Sequence, residues 1–219
     1  MVFKGRLIWK NPLLLFYVFL VLTVNSANMK INLLQFLSKY ATFSEEDIHI
    51  IETQNIVKEY NKGTVLLSEG QQAKDCFLVL NGCVRSYYLK DGEEKNIDFF
   101  LENDPIVPVS YVRNEPSHYF IECMEDCVLS NGNSDRTEKF LQSFPQFAPL
   151  FRKISDDLLA NQQISSDTFR NLTPEEHYLK IRELKPALLE RIPQYHMASY
   201  LGIKPQSLSR IRKRLARSK

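Results

Sequence analysis

Glycine is scarce in this chain, seven residues in 219, and none lies between Gly92 and Gly132. A loop that cradles phosphate with its backbone N–H groups needs glycine, because only glycine lets the backbone approach so closely. No Gly-rich phosphate loop occurs. Catalytic pairings are missing too: His49, His118, His177 and His196 have no adjacent Ser, Cys or paired acid to form a nucleophile and base. The chain is therefore expected not to be an enzyme. Cysteine is sparse, and Cys76, Cys83, Cys123 and Cys127 are spaced more widely than the Cys-x-x-Cys pairs of zinc or iron–sulfur sites. Buried reduced thiols are expected, with no metal and no cofactor.

Long apolar runs are limited to one, Leu13 to Leu22, shorter than the roughly 20 residues that a membrane span requires. Lys4, Arg6 and Lys10 precede it and Asn25-Ser26-Ala27-Asn28 follow, the layout of a signal-like segment. Residues 1–28 thus form an apolar extension open to three readings: a start that really falls at Met29, a membrane anchor, or export.

The formal charge is only +2, but it is unevenly placed. Seven Lys/Arg and no acid fall in residues 204–219, leaving 21 basic against 26 acidic residues elsewhere. A basic end on an acidic body suits a polyanion-binding module.

Leu33–Tyr40 and Glu45–Thr53 have helical spacing, and Ser44 precedes acids suited to a helix start. From Val57 to Asn131 the period becomes two. Short runs at Thr64–Leu67, Phe77–Leu80, Val84–Leu89, Ile97–Leu101, Tyr119–Met124 and Cys127–Leu129 alternate with turns such as Asn81-Gly82 and Asp91-Gly92. This predicts an antiparallel sandwich or jelly roll. Helical spacing returns at Thr137–Phe144, stopped by Pro145. A longer helix is predicted from about Pro149 to Arg170, with Phe151, Ile154, Leu158, Asn161 and Ser165 on one stripe. That stripe suits either a subunit contact or packing on the chain's own barrel. Thr173 and Pro174 mark a hinge and a new helix start.

The strongest pattern runs from Ile192 to Leu215. Met197 and Leu201, then Leu208, Ile211 and Leu215, define two short amphipathic helices separated by Gly202, with Pro205 at a first helical position. Two helices joined by a short Gly-containing turn form a helix-turn-helix. On the second, Gln206, Arg210, Lys213 and Arg217 share a stripe, with Ser207 and Arg214 beside it. Gln can bond adenine and Arg guanine in bidentate fashion, so Gln206, Ser207 and Arg210 are candidate base contacts. Tyr195, His196, Lys204, Ser209, Arg212, Lys213 and Arg214 are candidate phosphate contacts. Lys204 is a poor helix cap beside a positive helix end, a cost that a phosphate contact can justify.

Ala198-Ser199-Tyr200-Leu201-Gly202 followed by Leu208-Ser209-Arg210-Ile211-Arg212 resembles the DNA-binding motif of the Crp/Fnr transcriptional regulators. With Lys62-Gly63-Thr64 through Asn81-Gly82-Cys83-Val84-Arg85 as opening hairpins, the resemblance covers roughly residues 29–219. It implies an α+β chain: an N-terminal antiparallel β jelly-roll of the cyclic-nucleotide-binding type over residues 29–135, dimerisation helices over 136–172, and a C-terminal helix-turn-helix domain over 173–219. It also implies a sequence-specific regulator that acts on double-stranded DNA as a cytoplasmic homodimer, with RNA polymerase and an unknown small-molecule effector as further partners. Arg210 takes the place of the family's base-reading arginine and Gln206 that of a residue often Glu, which predicts an altered operator. The family's phosphate-binding Gly-Glu turn and Arg-Ser pair are missing: Pro116-Ser117-His118 stands there instead, and Arg113 is the only arginine between Gly92 and Gly132. The branch indicated lacks the cyclic-nucleotide motif, so no cAMP response is expected. The sequence ends at Lys219 without the β-hairpin wing of longer members, and fewer phosphate contacts are expected. The competing expectation is a ligand-sensing or membrane-tethered interaction module without operator binding.

Overall fold

The computed structural model describes Leu34 and residues 36–54, 57–169 and 171–217. The extension over residues 1–28 lies outside them, as does part of the first predicted helix. Among the described residues no helix is long and apolar enough to cross a membrane.

Helix α1 (Glu45–Thr53) starts at Ser44, whose hydroxyl accepts from the Asp47 N–H while the Asp47 carboxylate accepts from the Ser44 N–H. This reciprocal cap satisfies donors that a helix end leaves unpaired. Eight strands follow: β1 (Val57–Tyr60), β2 (Val65–Leu67), β3 (Cys76–Asn81), β4 (Val84–Lys90), β5 (Glu93–Phe100), β6 (Pro105–Ile106), β7 (Phe120–Cys123) and β8 (Cys127–Gly132). They form two four-stranded antiparallel sheets, ordered β1-β8-β3-β6 and β2-β7-β4-β5. Between them lie Leu67, Phe77, Val79, Val84, Ile106, Ile121, Cys123 and Leu129. Gly82, at a φ of 104°, turns β3 into β4, and a Cβ there would fall 2.6 Å from the Cys127 Sγ. No side chain fits at that position. All four cysteines are buried free thiols.

Helix α2 (Val109–Arg113), which periodicity does not reveal, lies between β6 and β7. Helix α3 (Ser134–Ser143), the 3-10 turn Pro145–Phe147 and helix α4 (Ala148–Phe169) then cover the first sheet. The first part of the long-helix stripe packs on its own chain. Phe151 and Ile154 are buried, and with Leu158 they pack on Phe140, Phe147, Leu37, Ile51, Leu78 and Leu80 of the same chain. The outer face of β3 and the N-terminal helices offers this apolar stripe a local partner. Leu159 and Ile164 stay exposed, Ile164 at 61 %.

Helix α5 (Pro174–Leu184) opens on a second reciprocal cap, Thr173 with Glu176, and Pro174 at its first position. Helix α6 (Pro186–Arg191) follows, with Pro186 at its first position. Helices α7 (Gln194–Tyr200) and α8 (Pro205–Arg217) complete the described residues. The core of these helices is not closed to the sandwich. Tyr178, Ile181, Leu188, Ile192, Met197, Ala198, Leu201 and Leu208 cluster with Cys83, Phe99 and Leu101 of the sandwich. The boundary drawn near residue 172 separates two segments that share one apolar cluster.

Candidate nucleic-acid interface

The α7–α8 turn follows from its residues. Gly202 has a φ of 68°, the Ile203 N–H donates to the Ala198 carbonyl at 2.9 Å, and the Gly202 N–H donates to the Ser199 carbonyl at 3.0 Å. This is the glycine-terminated helix end that satisfies orphan carbonyls. Pro205 then begins α8, and the N–H groups of Ser207 and Leu208 donate to the Lys204 carbonyl. Leu208, 1 % exposed, pins α8 to the cluster around Met197 and Leu201.

Opposite Leu208, α8 faces solvent. Gln206, Arg210, Lys213 and Arg217 are exposed, and Ser207 and Ser209 are half-buried at the margins. The helix contains no acidic residue. Lys204 and Tyr195 are exposed before it. Arg214 is engaged: its Nε donates to Glu175 Oε1 at 3.1 Å and its guanidinium ion-pairs with the same carboxylate. Arg212, one turn after Leu208, lies on the other flank, beside a shallow cleft lined by Tyr178, Ile192 and Met197.

His196 departs from the expected phosphate contact. It is buried at 5 % exposure and faces the sandwich, not solvent. Its Nδ1 accepts from Arg85 Nη1 at 3.0 Å and from Asn96 Nδ2 at 3.1 Å. Neither donor can accept, so this nitrogen carries no proton and the ring is neutral. Burial, and next the Arg85 charge, push the His196 pKa down to about 4. Arg85 itself, on β4, is fully engaged: with Glu122 at 2.6 Å, Glu94 at 2.5 Å and the Tyr87 ring 4.1 Å away. Further along α7, the Ser199 hydroxyl accepts from the Asn96 N–H at 3.0 Å and donates to the Glu94 carbonyl at 3.1 Å. Tyr200 packs edge-on against Phe99, with ring centres 5.4 Å apart. Arg191 makes a two-pronged bond to Glu102 and pairs with Glu125, and Lys185 reaches Asp104 at 2.8 Å. These contacts between the sandwich and the C-terminal helices escape sequence reading. Arg85 sits in a strand with polar neighbours, where a charged residue reads as solvent-facing, and its helix partner is 111 positions away.

Residues 57–144 match the family model described as the cyclic nucleotide-binding domain. The match runs from β1 through α3. Among solved structures, the chain is similar to FixK2 from Bradyrhizobium japonicum, with 22 % identity, a TM-score of 0.55, and coverage of 74 % of this chain and 84 % of that one. It is similar to a CooA mutant from Carboxydothermus hydrogenoformans, with 19 % identity, a TM-score of 0.51, and coverage of 74 % and 76 %. The c-di-GMP responsive global regulator CLP of Xanthomonas campestris is similar at 17 % identity, a TM-score of 0.53, and coverage of 74 % and 86 %. No curated protein sequence matches the chain. The chain is thus similar in fold to these structures over about three quarters of its length.

Proposed function

We propose that this chain is a Crp/Fnr-type transcriptional regulator whose α7–α8 pair is a helix-turn-helix that reads double-stranded DNA. One observation carries the reading: an acid-free stripe of Gln206, Arg210, Lys213 and Arg217 stays exposed while the opposite side of the same helix is buried. Gln206, Ser207 and Arg210 read base edges. Tyr195, Lys204, Ser209, Arg212, Lys213 and Arg214 meet phosphates, with Arg214 first released from Glu175. The exposed Leu159 and Ile164 on α4 support a homodimer, in which two α8 helices occupy successive major grooves about 34 Å apart.

The regulator works without cAMP. Phe77, Val79 and Leu129 fill the space between the sheets, with Tyr111 and Tyr119 at its edge. Ser117, where the family places its phosphate-binding pair, turns its hydroxyl onto the Tyr119 carbonyl at 2.7 Å. Arg113 is exposed. Selection of bound sequences from a random duplex pool tests the assignment. A palindromic site bound with steep salt dependence is expected; equal binding to every duplex refutes it.

A further inference from the structure

Arg214 stands beside the reading stripe of α8, one turn after Arg210, and its side chain is 63 % exposed. It is nevertheless engaged twice over by one carboxylate from α5: Nε donates to Glu175 Oε1 at 3.1 Å, and Nη2 donates to Glu175 Oε2. This planar fork is the one a phosphate would otherwise take. Among the described residues Arg210 and Lys213 make no such pair. Glu175 is not needed to start α5, since Thr173 and Glu176 close that helix end between them. Nor does α8 need the pair to stay in place, because Leu208, Ile211 and Leu215 pack into the apolar cluster. An exposed ion pair adds little stability in any case. α8 has no acid of its own, so Glu175 brings a carboxylate to a helix whose sequence carries none.

Binding to DNA of any sequence is almost entirely electrostatic and grows with the number of phosphates neutralised. A duplex resting loosely on α8 meets an Arg214 whose charge is already balanced, and exchanging one oxyanion for another gains little. A duplex whose bases fit Gln206 and Arg210 has its backbone fixed against the helix margin, and the base contacts then drive the exchange of Glu175 for phosphate. Specificity is a difference between two affinities, so weakening the poor complex counts as much as strengthening the good one. We propose that Glu175 is a specificity-determining residue: it withholds Arg214 from the phosphates of ill-fitting duplexes and releases it to the one that fits. This rests on the reading of α8 as a duplex-binding helix. Glu175 touches no base and acts through Arg214.

The experiment uses the full chain with four variants: Glu175→Gln, Arg214→Ala, the two combined, and Glu190→Gln. Gln keeps the size and helix propensity of Glu and leaves the Thr173–Glu176 cap intact, so the fold is retained. Glu190→Gln removes the same charge from an exposed position on α6. Titration at several salt concentrations reports binding to the selected duplex and to a random duplex. Glu175→Gln is expected to tighten the random duplex about three- to fivefold at low salt and to steepen its slope of log affinity against log salt by about 1. The selected duplex is expected to tighten less than about twofold, so discrimination falls. With Arg214→Ala present, Glu175→Gln is expected to change the random duplex less than about 1.5-fold. Equal tightening of both duplexes, no tightening of the random one, the same gain in Glu190→Gln, or a gain that survives without Arg214 overturns the proposal. A parent chain that binds every duplex equally refutes the proposed function instead, and the random-duplex titrations with and without Arg214 then decide by themselves whether Glu175 withholds a phosphate contact. A parent that binds no duplex refutes both.

Discussion

The imidazole of His196 on α7 and the guanidinium of Arg85 on β4 meet at 3.0 Å, with a cation donating to a ring that must stay neutral. The ring meets Arg85 from β4, itself held by Glu122 of β7 and Glu94 of β5, together with Asn96 of β5 and the tilted Tyr195 ring at 4.0 Å between ring centres. A second positive charge here would face Arg85 and lose its two incoming hydrogen bonds.

This arrangement sets a pH dependence. In the unfolded chain His196 protonates near its ordinary value of about 6.5, whereas in the fold it resists until about 4. The unfolded state therefore binds more protons between those values, and folding stability falls as pH drops from about 6.5 to about 4, by roughly 2 kcal/mol or more. Chemical denaturation at several pH values checks this, and in His196→Asn the slope over that window is expected to flatten.

Phe99 belongs to both halves of the molecule, with 1 % exposure, a barrel position and the Tyr200 ring edge-on. Phe99→Ala is expected to destabilise the chain by about 3–5 kcal/mol. Because the cluster is shared, circular dichroism and tryptophan-independent probes of α7 should report one common loss rather than separate melting of the C-terminal helices.

Arg210→Ala is expected to weaken binding to the selected duplex by about 1–3 kcal/mol and to relax preference at one base position. Footprinting and competition with single-base variants of the site measure both. A parent-like footprint and preference contradict the base-reading role.

The basic residues are not equivalent. Lys213 stands exposed on the stripe, whereas Arg214 is engaged by Glu175. Lys213→Ala is expected to lower the slope of log affinity against log salt by about 1, and Arg214→Ala by less, because forming its phosphate contact first breaks an ion pair. Binding isotherms at several salt concentrations distinguish the two.

Isothermal calorimetry with cAMP is expected to show no micromolar binding, since Ser117 donates its hydroxyl to the Tyr119 carbonyl and Arg113 faces solvent. A clear micromolar isotherm removes the cAMP-independent part of the proposal.

Local features were legible from the residues alone. The caps at Ser44 and Thr173, the Gly202 turn, the start of α8 at Pro205 and most of the strands depend on neighbours within a few positions. The short elements were not: β1 and β6 are too brief to display a period, and α2 and α6 have only five and six residues.

Charge and spacing along α8 by themselves determined a helix with one apolar and one acid-free basic side, because every residue involved lies within four turns of the others. What that helix rests on was decided by tertiary structure. Only packing chose between self-contact and subunit contact for Phe151 and Ile154, since an apolar stripe carries no address. Only packing turned His196 from an exposed basic ring into a buried acceptor, because its partners Arg85 and Asn96 come from strands about a hundred residues earlier. Hydrogen bonds between distant segments leave no periodic trace in the chain, and here they join the sandwich to its terminal helices together with the apolar cluster around Phe99.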